Sequence, residues 1–155
     1  MGSIVVGVDG SEGGKAALDF AAEEAALRGA RLYVVTAWEI PPVVVAGIAA
    51  DSGFYGQSRD ESRQHAVAVA AEAAARVAER YPAIACEQRV IEGQQAKVLL
   101  DQARDATLIV VGSRGHGGFT GLLLGSISQQ VVNHAPCPVV VVPPSAGQRL
   151  HASGN

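Results

Sequence analysis

Glycine is concentrated in one short stretch of the chain: Gly112, Gly115, Gly117 and Gly118, then Gly121, then the pair Gly125-Ser126. Without a Cβ, glycine lets successive backbone N–H groups turn toward an anion. A helix that starts at the end of such a stretch adds oriented N–H donors and the positive end of its dipole. Ser126 stands where it can cap that helix or donate its hydroxyl to a phosphate oxygen, and Arg114 and His116 bring cationic side chains. The segment therefore reads as a phosphate cradle, or as an ordinary loop with a serine N-cap and solvated Arg114 and His116.

Standard nucleotide motifs do not account for it. A P-loop needs GxxxxGK[ST]. From Asp9 to Ala16 only Gly14-Lys15 fits, with Asp9 in the first glycine position and Ala16 in place of Ser or Thr. Thr120 falls where the third glycine of a GxGxxG fingerprint belongs, and there is no GxSxG elbow. Ser113 and His116 have no placed acid beside them, which argues against a hydrolytic triad. His65, His134 and His151 lack metal-ligand spacing and read as surface residues.

Five Val- and Ile-rich runs must position these residues: Ile4–Val8, Arg31–Ala37, Ala85–Ile91, Thr107–Gly112 and Pro138–Val142. They are nearly continuous rather than alternating, as strands covered on both faces are. Helical stripes separate them, over Gly13–Arg28, Ser58–Arg80, Gln94–Arg104 and Ile127–Ala135, the last stopped by Pro136. The order β-α-β-α-β-α-β-α-β predicts an α/β fold, a single doubly wound five-stranded parallel sheet with helices on both faces. Ligands of such sheets sit beyond the carboxyl ends of the strands. That rule singles out Asp9-Gly10-Ser11, Ala37-Trp38-Glu39, Glu92-Gly93 and Gly112–Gly118. Asp9 there is a ligand contact or a helix-capping group, and Trp38 packs over a ligand or closes the core edge. Residues 1–143 are expected to form one domain, 41–57 a long connection, and 144–155 a disordered tail.

Composition narrows the classes. The 155 residues carry 48 % hydrophobic and 17 % charged side chains and a net charge of −3, which argues against disorder and gives no electrostatic footprint for nucleic acid. No run approaches the ~20 apolar residues of a membrane span. The start runs straight into a strand, and Val6 occupies the position where a myristoylation motif needs Ser or Thr. Cys86 and Cys137 form no CxxC pair and read as small buried hydrophobes. A cytoplasmic protein is expected.

Gly112-x-x-Gly115, nine residues, then Gly125-Ser126 resembles the ATP-binding signature of the universal stress protein family. Val6-Gly7-Val8-Asp9-Gly10-Ser11 resembles that family's first strand and turn, and Ala135-Pro136-Cys137-Pro138 with Val139–Val142 resembles its last helix end and strand. The resemblance implies that Gly7 and Asp9 lie beside the adenosine, with the Asp9 carboxylate near the ribose hydroxyls. It gives Ala37 backbone contacts to the adenine edge and places Gly93 on the ribose side. Gly112, Ser113, Arg114, Gly115, His116 and Gly117 would wrap ribose and phosphates, and Gly125, Ser126 and Ile127 would supply helix-start donors. ATP is the implied ligand, with Mg2+ or Mn2+ held by its phosphates rather than by protein carboxylates. A homodimer through Val139–Val142 is implied as well, with an unidentified protein partner. No general base is placed, so sensing rather than catalysis is expected. Rival readings are an AMP- or cyclic-AMP-binding sensor of the same fold and a dimeric interaction protein that binds no nucleotide. An enzyme of the related α-hydrolase kind would need an SGGxDS-type loop, which the chain lacks.

Overall fold

The computed structural model describes residues 2–40, 52–115 and 124–144. Its elements follow the order expected from the sequence: β1 (Ser3–Gly7), α1 (Glu12–Arg28), β2 (Arg31–Trp38), α2 (Ser52–Arg80), β3 (Cys86–Glu92), α3 (Gln95–Gln102), β4 (Leu108–Gly112), α4 (Ser126–His134) and β5 (Val139–Val142). The strands form one parallel sheet in the spatial order β3-β2-β1-β4-β5. The order reverses between β1 and β4, where a crevice opens at the carboxyl edge.

Two cores explain the continuous apolar runs. Ile4, Val6, Val34 and Val110 point to one face, where Ala17, Leu18 and Ala21 of α1 and Ala73 and Val77 of α2 cover them. Val5, Val35, Ile109 and Val111 point to the other, under Ala96 and Leu99 of α3 and Val131 of α4. Alternation is present, but both partners of each alternating pair are buried, so no polar residue marks the period.

Helix α2 starts at Ser52, six residues before the expected start. Gly53 and Gly56 read as breakers, since each costs roughly 1 kcal/mol against alanine in a helix. The last residues assigned to the connection are instead the opening turns of a 29-residue helix. Two side-chain bonds support this end: Gln57 donates to Glu61 at 3.0 Å, and Arg59 reaches Glu92 of β3 at 2.6 Å. Residues 41–51 of the expected connection and 145–155 of the expected tail lie outside the described residues.

A buried charge joins α1 to α2. Asp19 is 6 % exposed and accepts from Arg76 Nε at 2.7 Å and Nη2 at 2.6 Å, with Arg80 at 3.4 Å. The bond to Asp19 pushes the Arg76 guanidinium above its usual range. Replacing Asp19 by alanine leaves both arginines without this carboxylate. We expect Asp19→Ala to lower the urea-unfolding free energy by about 2 kcal/mol, because the pair is half sheltered rather than fully buried.

Candidate functional site

The turn after β1 is built around Asp9. Gly10 adopts φ +84°, a conformation that favours glycine, and turns the chain back toward α1. Asp9 Oδ1 accepts the Ser11 backbone N–H at 3.0 Å and the Ser11 hydroxyl, and Ser11 Oγ in turn accepts the Gly14 N–H at 3.1 Å. Asp9 orients the serine that caps α1 and also lines the crevice.

The glycine-rich segment packs onto this turn by backbone contact. A Cβ on Gly13 would lie 2.2 Å from the Arg114 carbonyl oxygen, and one on Gly112 would lie 2.7 Å from the Gly13 carbonyl oxygen. A Cβ on Gly115 would lie 2.6 Å from Asp9 Oδ2. Ser113 ties the two ends of the segment together. Its N–H donates to Val142 O at 2.9 Å, and its carbonyl accepts the Gly125 N–H at 2.7 Å. The Ser128 hydroxyl donates to Gly112 O at 2.5 Å.

Helix α4 starts at Ser126, with Gly125 in the N-cap position and no side-chain cap bond. The expected cap by Ser126 is therefore corrected: this serine is the first helical residue, one place too late to cap. The contrast with α1, capped by Ser11, is chemical. An uncapped first turn keeps N–H donors for water or an anion.

These parts open on one cleft of about 570 Å3. Gly7, Asp9, Ala37, Gly112, Arg114, Gly115, Gly125, Ser126 and Ile127 all line it, from four separate segments of the chain. Ser113 and Gly93 do not. Ser113 is 7 % exposed and spends its backbone groups on β5 and Gly125. Gly93, at φ +150°, donates its N–H to Trp38 O at 2.8 Å and so joins β3 to β2 instead of facing the cleft. His116 and Gly117 lie outside the described residues.

Glu39, in the segment singled out after β2, lines the cleft too, while other lining residues were not anticipated: Thr36, Gln95, Gln129, and Ser62, His65, Ala66 and Val69 on α2. A signal for the α2 group was available. Ser62 lies four residues before Ala66 and continues its buried stripe toward the carboxyl edge. Trp38, 9 % exposed, is buried at the core edge and lines the cleft, with the Arg59 guanidinium 5.4 Å from its ring.

Thr36 is 3 % exposed, and its hydroxyl has no hydrogen-bond partner among the described residues. A buried unpaired hydroxyl costs stability, and valine has the same shape without it. Thr36→Val should raise the urea-unfolding free energy by about 1 kcal/mol.

Cys86 and Cys137 lie outside the cleft lining, and burial pushes both thiols up, which disfavours the thiolate. Among the described residues no group of three or more His, Cys, Asp or Glu side chains is placed to hold a metal, and no helix is long and apolar enough to cross a membrane.

Comparison with known proteins agrees with this geometry. The model of the universal stress protein family matches residues 1–143. A universal stress protein of Mycolicibacterium smegmatis is 39 % identical over 145 residues, which are 91 % of this chain and 45 % of that protein. The chain spans about half the length of the curated relatives it matches. Among solved structures, a universal stress protein from Archaeoglobus fulgidus superposes with a TM-score of 0.68 at 28 % identity, covering 92 % of this chain and 93 % of the other. A universal stress protein in complex with cAMP superposes with a TM-score of 0.66, also at 28 % identity, covering 92 % and 97 %. The sheet order, the glycine signature after β4 and the family match over nearly the whole chain place this protein in the universal stress protein family.

Proposed function

We propose that the protein binds an adenine nucleotide, with ATP as its main ligand, and acts as a nucleotide-dependent regulator rather than as an enzyme. One observation carries the reading: the uncapped start of α4, the Gly112–Gly115 backbone and the Asp9 carboxylate all open on the same cleft at the β1/β4 reversal. Phosphates would take the α4 N–H donors, with Ser126 and Arg114 beside them. Ribose would lie at Asp9 and adenine along Ala37. Gly93 and Ser113 would act at one remove by fixing strand and loop ends. Mg2+ or Mn2+ would be held by phosphate oxygens and water.

Binding would act by favouring one conformation over another rather than by turnover. The exposed outer edge of β5, at the end of the sheet order, would pair with its copy in a cytoplasmic homodimer.

A second reading, a sensor of AMP or cyclic AMP, is favoured by the relative solved with cAMP. Purifying the protein, denaturing it by heat and identifying the released nucleotide by chromatography and mass separates the two. ATP in the supernatant supports the first reading. Cyclic AMP or AMP in its place would move the assignment to the second.

A further inference from the structure

Trp38 and Glu92 are register partners at the carboxyl ends of β2 and β3, and the Gly93 N–H donates to Trp38 O beside them. Trp38 falls on the same face of β2 as Val34, the face that α2 covers. Arg59 of α2 reaches both strand ends. Its guanidinium lies over the indole, 5.4 Å from the ring centre, and its Nη2 donates to Glu92 Oε2 at 2.6 Å. One side chain of the helix thus meets one residue on each of two strands.

This contact borders the cleft without entering it. Trp38 lines the cleft next to Ala37, whereas Arg59 and Glu92 are not among its lining residues. Ser62, the first described α2 residue of the cleft wall, lies one turn after Arg59, and His65, Ala66 and Val69 continue the wall over the next two turns. The two ends of this wall are held differently. Beyond it, Arg76 is anchored on the buried carboxylate of Asp19. Before it, Arg59 and Glu92 form a pair whose side chains are each 45 % exposed. An exposed ion pair and a cation over an indole each add little to global stability. They do fix a position: the wall cannot move away from Trp38 without breaking both contacts.

We infer that Arg59 is a positioning residue for the nucleoside end of the ligand, setting the width of the cleft beside Ala37 by seating α2 on Trp38 and Glu92. The inference rests on the nucleotide reading and adds to it a residue outside the lining. Because Arg59 acts through the wall, its loss should weaken every ligand that shares the nucleoside, whatever phosphates it carries. A direct charge effect would look different. Losing Arg59 would weaken ATP, losing Glu92 would tighten it, and uncharged adenosine would respond to neither.

The test is calorimetric titration of wild type, Arg59→Met, Glu92→Ala and the double variant with ATP and with adenosine. Calorimetry is needed because the Trp38 emission itself changes when the guanidinium is removed. Each single variant should bind both ligands about fivefold more weakly, by the same factor for ATP as for adenosine. The double variant should lose no more than Arg59→Met alone, since both contacts share one guanidinium. Urea-unfolding midpoints should stay close to wild type, which separates positioning from folding. Wild-type affinities in both single variants, a loss confined to ATP, or opposite signs for the two variants would overturn the inference while leaving nucleotide binding intact. Failure of wild type to bind either ligand would remove the nucleotide reading, and this inference with it.

Discussion

Gly115→Glu should bind ATP at least about a hundredfold more weakly than wild type while keeping its fold. The glycine's missing Cβ would lie 2.6 Å from Asp9 Oδ2, and the Asp9 carboxylate is anchored by two bonds from Ser11. Any side chain here pushes that carboxylate aside, and a glutamate adds a like charge where phosphate is to bind. Removing a favourable phosphate contact and adding a repulsive one together amount to roughly 3 kcal/mol, or about two orders of magnitude. Gly115 is exposed, so the unfolding midpoint should move little. The chain's single tryptophan, Trp38, lines the cleft, so its fluorescence reports binding without a label. Gly115→Ala, with steric cost but no charge, should fall between the two. Equal affinities of Gly115→Glu and wild type would remove the glycine segment from the site.

Gly13→Ala should destabilise the fold by about 3 kcal/mol, near the top of the range for over-packing. Its Cβ would stand 2.2 Å from the Arg114 carbonyl oxygen. That oxygen belongs to backbone, in a segment held by Ser113 to β5 and to Gly125, so it cannot swing away as a side-chain tip would. Relief requires α1 and the loop after β4 to separate. The same movement shifts Arg114 and Gly115, so ATP affinity should fall together with stability. Urea unfolding and a fluorescence titration of the same preparation check both halves. A stable variant with wild-type affinity would show that α1 and the loop do not depend on this close approach.

These two glycines differ in how far the sequence reveals them. Gly115 falls inside a dense glycine run, so a spacing argument finds it. Gly13 reads as the first residue of a helical stripe, and only the packing of α1 against the β4 loop shows why a Cβ is excluded. The strands were legible because each apolar run is buried on both faces, and the helices because buried stripes such as Leu18, Ala21, Ala25 and Ala66, Ala70, Ala73, Val77 recur at helical spacing. The start of α2 was not, since Gly53 and Gly56 signal a loop locally and the bond that anchors this end comes from Glu92, 33 positions away. Ser126 shows the cost of a one-residue boundary error: as the first helical residue it lines the cleft but cannot cap, and the cap position falls to Gly125. Thr36 escaped because a strand threonine carries no spacing signal, and His65 because it flanks the Ala66 stripe rather than standing in it. His65 reaches the cleft through the crossover that lays α2 over β2.

The most direct test of nucleotide binding is an equilibrium titration of nucleotide-stripped wild-type protein with ATP, followed by Trp38 fluorescence or calorimetry. Saturable binding of one ATP per chain, stronger than that of AMP or cyclic AMP, is the predicted result. Absence of saturable binding by all three nucleotides would contradict the account and leave the chain as a family member that works through protein contacts alone.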